Sequence, residues 1–244
     1  MVVWGFLMTF MEILGVRVDN LGRKEILEKV EVFLSESKFH QIATVNPEFI
    51  LQAQKDAEFK NILNSCALNV ADGMGIWFAF LRFGKFLKCR MTGIDLMMEI
   101  LKLAEQKNLK VFLAAGSGGL STWEEAAKAI NKTFPSLTVS GANLDKTTTG
   151  SSFNTTDSGI NCDILFCNFG APFQEKFLNS LKSDKIRLAM GVGGSFDYIT
   201  GKIKRAPKFL RNVGFEWLWR LIQQPKRWKR IWNAVIVFPI KIIF

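Results

Sequence analysis

Histidine is almost missing from this chain: His40 is the only one among 244 residues. It stands before an apolar run with no evident partner, which reads as a surface position and argues against Ser-His-Asp chemistry. The four cysteines, Cys66, Cys89, Cys162 and Cys167, make no C-x-x-C pair, and neither H-x-x-x-H nor D-x-D occurs. No metal cage is expected from such an inventory, and the cysteines read as small buried apolar residues in a reducing cytoplasm. Long apolar runs are also absent, since none approaches the ~18 uncharged residues that a membrane span needs. The apolar stretch Met1–Met11 is about half that length and has neither a basic leader nor a small-residue cleavage site, so it does not read as a signal peptide. It is an extra arm, or translation begins at Met11 where the regular pattern starts; the second is preferred.

Acidic charge is nearly absent from one region. Residues 202–244 hold eleven Lys and Arg against one acid, Glu216, and so carry the whole net charge of +10. The preceding 201 residues are neutral on balance. The basic residues are interleaved with Phe209, Phe215, Trp217, Trp219, Trp228 and Trp232. A neutral body with a basic, aromatic tail points to an anionic partner, either phosphates or a membrane surface. Trp228, Ile231, Trp232, Val235 and Ile236 recur at helical spacing, which fits a helix in the interface of an anionic bilayer. The alternative is a helix packed on the core with a solvated basic face.

The body is 48% hydrophobic overall and alternates strands with helices. Strands are expected at 13–18, 41–45, 67–71, 110–115, 138–140, 163–168 and 186–192. Helices are expected at 23–35, 49–54, 95–106, 124–134 and 174–180, with an apolar run at 76–81. Residues 141–161, rich in Thr, Ser, Asn and Gly, read as a loop or weak helix. This order predicts an α/β fold with a Rossmann-like, mostly parallel sheet. The core spans 11–202, in an N-terminal α/β lobe of about 11–107 and a Rossmann-like lobe of about 108–202. A basic helical appendage, 203–244, follows. Because every expected strand precedes Ile203, removal of the appendage should leave a folded body.

Ligands of open α/β sheets bind at the carboxyl ends of the strands. The polar or glycine residues there are Thr44, Asn46, Asp72, Gly116–Gly119, Gln174 and Gly193 through Asp197. Asp72 follows a buried strand and is the best catalytic candidate by position, as a general base whose pKa burial has raised. An N-cap role for the helix near Met74 fits the same position equally. The Gly116-Ser117-Gly118-Gly119 segment is either a phosphate-approaching loop or a tight turn.

Taken in order, these segments resemble the WecG/TagA/CpsF family of bacterial glycosyltransferases. The resemblance rests on Thr44-Val45-Asn46-Pro47-Glu48, Ala71-Asp72-Gly73-Met74-Gly75, Arg90-Met91-Thr92-Gly93-Ile94-Asp95-Leu96 and Phe169-Gly170-Ala171-Pro172-Phe173-Gln174-Glu175-Lys176. It continues in Gly191-Val192-Gly193-Gly194-Ser195-Phe196-Asp197, Lys204-Arg205-Ala206-Pro207, the stretch from Gly214 to Leu221, and Pro225-Lys226-Arg227. It implies an inverting, metal-independent transfer of an N-acetylmannosamine-type sugar from a UDP donor to polyprenyl-diphosphate-linked N-acetylglucosamine, in building teichoic-acid linkage units or related surface polymers. It also implies Asp72 as base, Thr44, Asn46 and Gln174 in the sugar pocket, and Arg90 at the acceptor or phosphates. Asp197 would lie near the nucleoside, and Arg220, Arg227 and Arg230 would close over the donor diphosphate. No cofactor is implied, and the location would be cytoplasmic, peripheral on the inner face of the membrane. Residues 141–161 depart from the family pattern and receive no role.

The residue inventory agrees. Without a D-x-D motif to hold Mg²⁺, cationic side chains must stabilise a leaving diphosphate, and Arg offers a bidentate fork for its oxygens. Two other readings compete. An NAD-dependent oxidoreductase using Gly116–Gly119 lacks the third glycine, and a nucleic-acid-binding protein using the tail leaves Asp72 and Gln174 without purpose.

Overall fold

The expected strand at 13–18 is a hairpin. Strands β1 (Phe10–Ile13) and β2 (Val16–Asp19) pair antiparallel, joined by Leu14 at φ 49 and Gly15 at φ 75. A two-residue hairpin turn needs positive φ at both positions, and glycine meets that at no steric cost. The buried residues Met11, Ile13, Val16 and Val18 change phase across this turn, which a reading for unbroken periodicity misses. The computed structural model describes residues 9–147, 161–183, 185–212 and 214–244. Residues 1–8 of the apolar arm and 148–160 of the Thr/Ser-rich stretch lie outside the described residues.

The remaining strands are β3 (His40–Val45), β4 (Leu68–Ala71), β5 (Val111–Gly116), β6 (Val139–Leu144), β7 (Ile164–Cys167) and β8 (Leu188–Gly191). One eight-stranded sheet results, in the order β1-β2-β4-β3-β8-β7-β5-β6, parallel everywhere but the first hairpin. The two halves of the chain meet where His40, Gln41 and Ile42 of β3 pair with Leu188, Ala189 and Met190 of β8. Both faces are covered, as a parallel sheet requires: Ile42 and Leu188 enter one core cluster, Ala43 and Ala189 the clusters behind.

Helices α1 (Arg23–Ser35), α5 (Gly93–Gln106) and α6 (Trp123–Thr133) supply the first face. Helices α2 (Pro47–Ala53), α3 (Ala57–Ser65), α4 (Met74–Arg82) and α7 (Phe173–Ser180) supply the other. Side-chain caps start several of them: Asn46 on α2, Asp56 on α3, Thr92 on α5, and a Thr122/Glu125 capping box on α6. Each cap satisfies an N–H that the helix leaves unpaired.

Two further expectations change. Strand β6 continues to Leu144, so residues 141–144 are not loop; they pair with Leu113 to Gly116. At this edge no apolar run is needed, and a side chain on Gly141 would come within 2.5 Å of the Leu113 carbonyl and 2.7 Å of the Trp123 ring. His40 is buried rather than on the surface. Its ring stacks on Phe33 at 4.2 Å between centroids, and Nε2 lies 2.8 Å from Glu36 Oε2. Cys66, Cys162 and Cys167 are buried and free, as composition suggested.

After α8 (Ser195–Ile199) the basic tail forms α9 (Lys208–Asn212), α10 (Glu216–Gln223), a 3-10 turn at Pro225–Arg227, α11 (Trp228–Trp232), a π segment at Asn233–Val237 and α12 (Phe238–Ile243). The tail is not separable from the body. Ile203, Ala206, Phe238 and Ile242 are buried, the last two in the cluster of α2, α3 and α4. The Phe238 ring faces Gly75, where a Cβ would approach it to 3.4 Å and would meet Pro47 Cγ at 2.4 Å. Removal of 203–244 therefore uncovers core, contrary to the expectation from strand positions. Trp228 and Trp232 remain exposed, so the tail combines a core-packed end with an exposed aromatic face.

Phe238→Ala is expected to cost about 3–5 kcal/mol in urea unfolding, the usual effect of truncating a buried aromatic. Ile240→Ser, at an exposed position of the same helix, should shift stability by only about 0.5 kcal/mol.

Candidate active site

At the carboxyl edge of the sheet lies a cleft of about 420 Å³, within the usual size of a small-molecule site. All nine residues singled out in the sequence line it: Thr44, Asn46, Asp72, Arg90, Gln174, Asp197, Arg220, Arg227 and Arg230. Strand direction explains the first group. In a parallel sheet β3, β4, β7 and β8 all end on one side, and the residues that follow them meet there.

Asp72 directly follows β4, and its N–H is bonded to the Val45 carbonyl at 2.8 Å. It does not cap α4. The capping position is Gly73, at φ 84 and ψ 158, a backbone region open essentially to glycine alone. The carboxyl is thereby left facing the cleft chemistry. Burial raises its pKa to about 7; the negative charge of Glu216 adds to the rise, while Arg90 and Arg220 oppose it. A carboxyl with a proton affinity near neutral suits a general base.

The tail brings three arginines to the same cleft. Arg220 lies over the Tyr198 ring, 5.3 Å from its centroid, and close enough to Gly194 that a Cβ there would meet Nη2 at 2.5 Å. The pKa of Arg227 is lowered to about 10, first by burial and then by the neighbouring charges of Arg220 and Arg230. Arg230 is ion-paired with Glu48, Nε to Oε2 at 2.7 Å. Arg220 and Arg230 crowd Arg227 with like charge, which Glu48 only partly offsets, in a cleft that Asp72, Asp197 and Glu216 also line. Such an arrangement is costly unless an anion completes it.

Several positions have structural duties that their sequence motifs did not disclose. Asn46 Oδ1 accepts from the Phe49 N–H at 3.1 Å as the α2 cap. Arg90 Nη2 donates to the Arg211 carbonyl at 2.8 Å, tying the cleft wall to the tail. Asp197 Oδ1 accepts from Ser121 Oγ at 2.8 Å. Gln174 is only 2% exposed. Its Oε1 accepts from Gly170 N–H at 3.0 Å and Gly193 N–H at 3.1 Å, and its Nε2 donates to Glu175 Oε1 at 2.6 Å. Gln174 thus clamps the turns after β7 and β8, both built on glycines at positive φ.

Residues that sequence reasoning passed over also line the cleft, among them Thr92, Asn168, Tyr198 and Glu216. Thr92 and Glu216 lie inside the quoted motifs and Asn168 and Tyr198 directly beside them, so their signal was position, not residue type. Asp95 and Arg205, also unassigned, form a bidentate pair at 2.8 and 2.9 Å, with Thr92 Oγ1 donating to Asp95 Oδ2 at 2.6 Å. This pair fastens the start of the tail to α5.

The Gly116–Gly119 segment is a closed turn. The Gly116 N–H goes to Asn168 Oδ1, the Ser117 N–H to the Leu144 carbonyl and the Gly119 N–H to the Gly116 carbonyl. Helix α6 begins only at Trp123, with Glu124 and Glu125 in its first turn. Spent N–H groups and two acids disfavour a dinucleotide phosphate there.

Glu175 is a second buried carboxyl whose pKa burial raises to about 7. For both Asp72 and Glu175 the folded pKa exceeds the ordinary values of 3.8 and 4.5. The native state therefore binds more protons than the unfolded chain between those values and about 7. Stability should fall as pH rises across that window. Thermal unfolding between pH 4.5 and 7 checks this, and Glu175→Gln, which keeps an acceptor for Gln174, should flatten the dependence.

The comparisons with known proteins agree with this geometry. Residues 11–244 match the glycosyl transferase WecG/TagA/CpsF family. A relative from Bacillus subtilis strain 168, an N-acetylglucosaminyldiphosphoundecaprenol N-acetyl-beta-D-mannosaminyltransferase, is 30% identical over 219 residues, 88% of this chain and 80% of its own length. Relatives of the same name from Bacillus spizizenii W23 and Staphylococcus aureus MRSA252 are each 29% identical. They cover 82% and 95% of this chain, and 77% and 91% of their own lengths. A match across the α/β body and the basic tail alike places the chain in the WecG/TagA/CpsF family of glycosyltransferases.

Proposed function

We propose that this chain transfers an N-acetylmannosamine-type sugar from a UDP donor to a polyprenyl-diphosphate-linked N-acetylglucosamine, inverting the anomeric centre and requiring no metal. The observation that carries the reading is that Asp72, a carboxyl with raised pKa, lines one cleft together with three arginines of opposite charge. The names of the relatives supply the sugar and the acceptor.

The chemistry follows from that opposition. Asp72 removes the proton of the acceptor hydroxyl as its oxygen attacks the anomeric carbon from the side opposite the diphosphate. The bond to the diphosphate oxygen breaks, and negative charge grows on the leaving UDP. Arg220, Arg227 and Arg230 meet that charge as it develops, the first two from partly buried positions that strengthen the attraction. Their own electrostatics favour this: like-charge crowding at Arg227 is relieved when a diphosphate arrives. Thr44 and Asn46 line the sugar pocket and Arg90 meets the acceptor or phosphates, with Asp197 near the nucleoside. Gln174 contributes by holding the Gly170 and Gly193 turns that shape the sugar pocket. Single displacement accounts for inversion, because the neighbouring carboxylate Asp95 is committed to Arg205.

The tail supports a location on the inner face of the cell membrane. Among the described residues no helix is long and apolar enough to cross a bilayer, while the tail carries the full +10 charge and the exposed Trp228 and Trp232. Basic residues near an anionic surface each contribute on the order of 1 kcal/mol.

Asp72→Asn is expected to retain UDP binding and lower transfer by about 10²–10⁴-fold. The wild-type rate should decline as pH falls below about 7, where the carboxylate takes up its proton. Single-turnover transfer to a soluble acceptor analogue measures both, and near wild-type turnover of the Asn variant would remove Asp72 as the base. A second test addresses the arginines. UDP affinity by calorimetry should persist in excess EDTA and drop by about 10²-fold or more when Arg220, Arg227 and Arg230 become Gln, since each charged hydrogen bond is worth about 1.5–3 kcal/mol. Loss of binding in EDTA, restored by Mg²⁺, would reverse that conclusion.

A further inference from the structure

Residues 77–86 line no part of the cleft, yet they expose a run of large apolar side chains. Trp77 is 43%, Leu81 47%, Phe83 48% and Phe86 84% accessible. Trp77 and Leu81, four apart on α4, share one face of the helix. Phe83 ends α4, and Gly84, at φ 67, turns the chain so that Phe86 stands clear of the body. Soluble proteins rarely leave a contiguous apolar surface of this kind uncovered.

Within the segment itself the charges have one sign. No acid occurs between Asp72 and Asp95, whereas Arg82, Lys85 and Lys88 are interleaved with the apolar residues; Lys88 is paired with Glu25 at 3.2 Å. The patch is also continuous with the tail. Helix α12 packs against α4, with Phe238 and Ile242 inward and Ile240, Ile243 and Phe244 outward.

We propose that residues 77–86 are a second membrane-contact element, forming with the exposed side of α12 one surface for an anionic phospholipid bilayer. Large apolar side chains mixed only with basic ones match the acyl and headgroup layers of such a membrane. The inference rests on the membrane-surface reading of the tail and adds to it an orientation. Helix α4 begins at the cleft, beside Asp72, and ends at the patch. Its nine residues span about 13 Å at 1.5 Å each. A bilayer held at the far end of this rigid rod lies at a set distance from the base, within reach of a sugar on a lipid diphosphate.

The test uses the full chain and vesicles of phosphatidylglycerol and phosphatidylcholine. Leu81→Ser/Phe83→Ser/Phe86→Ser should weaken vesicle co-sedimentation on the order of tenfold or more, with transfer to a soluble short-chain acceptor unchanged. Trp228→Ser/Trp232→Ser serves as the tail comparison. If the triple variant sediments like wild type while the tail variant does not, this inference is overturned and the tail reading stands. If wild type itself ignores anionic vesicles, both fall. A wild-type dimer that the triple variant converts to monomer, with vesicle binding intact, would assign the face to a second copy and overturn the proposal. Should the triple variant fail to fold, a nitroxide at Phe86→Cys decides: it should gain oxygen accessibility and lose nickel-chelate accessibility on adding vesicles, and unchanged values overturn the proposal.

Discussion

The short ladder between β3 and β8 is the contact on which the site depends. Its three pairs, His40 with Leu188 through Ile42 with Met190, join residues almost 150 positions apart and align the two halves of the chain in one direction. Parallel alignment makes the strands on both sides end at the same edge. Thr44 and Asp72 arrive there from one half, Gln174 and Asp197 from the other. Nothing local to either half would bring them together. Within the second half the Gln174 side chain then fixes this edge, bonding the turns after β7 and β8 through a single oxygen.

The electrostatics of the cleft come from an imbalance that the fold tolerates. A carboxyl is kept where burial raises its pKa, and guanidinium groups are crowded until one of them has a lowered pKa. Either group alone would be a stability cost with no return. Here both line one cleft. Perturbed groups of opposite sign sharing a cleft mark functional sites for this reason. Glu175 shows the contrasting case, a buried carboxyl of similar shift spent on holding Gln174 in place.

The tail carries two loads at once. Its apolar end, Phe238 and Ile242, belongs to the core beside α4, and its basic middle closes the cleft. The Arg205–Asp95 pair fixes where it starts and the Arg230–Glu48 pair holds its middle segment. Core packing and site assembly are therefore coupled: a change that lifts α12 also withdraws the arginines.

Much of this was legible in the residues alone. The alternation of strands and helices, the strand-end position of Asp72 and the arginine-rich tail depend on short-range patterns of hydropathy, turn chemistry and charge. Those patterns are written in consecutive residues, so the α/β class could be read without coordinates, and the nine positions that the family resemblance assigned all come to line one cleft. The hairpin at Leu14–Gly15, the extension of β6 to Leu144, the burial of His40 and the seating of Phe238 could not. Each depends on a partner distant in sequence: β2 finds β4, Gly141 fits beneath Trp123, His40 opens a strand inside the sheet, and Phe238 meets Gly75. The roles of Asn46 and Gln174 diverged from expectation for the same reason, since a side chain's hydrogen-bond partners are set by which backbone groups the fold brings near it. Local sequence determined the elements and the chemistry available; only tertiary contact decided which polar atoms were spent on structure and which were left to face a substrate.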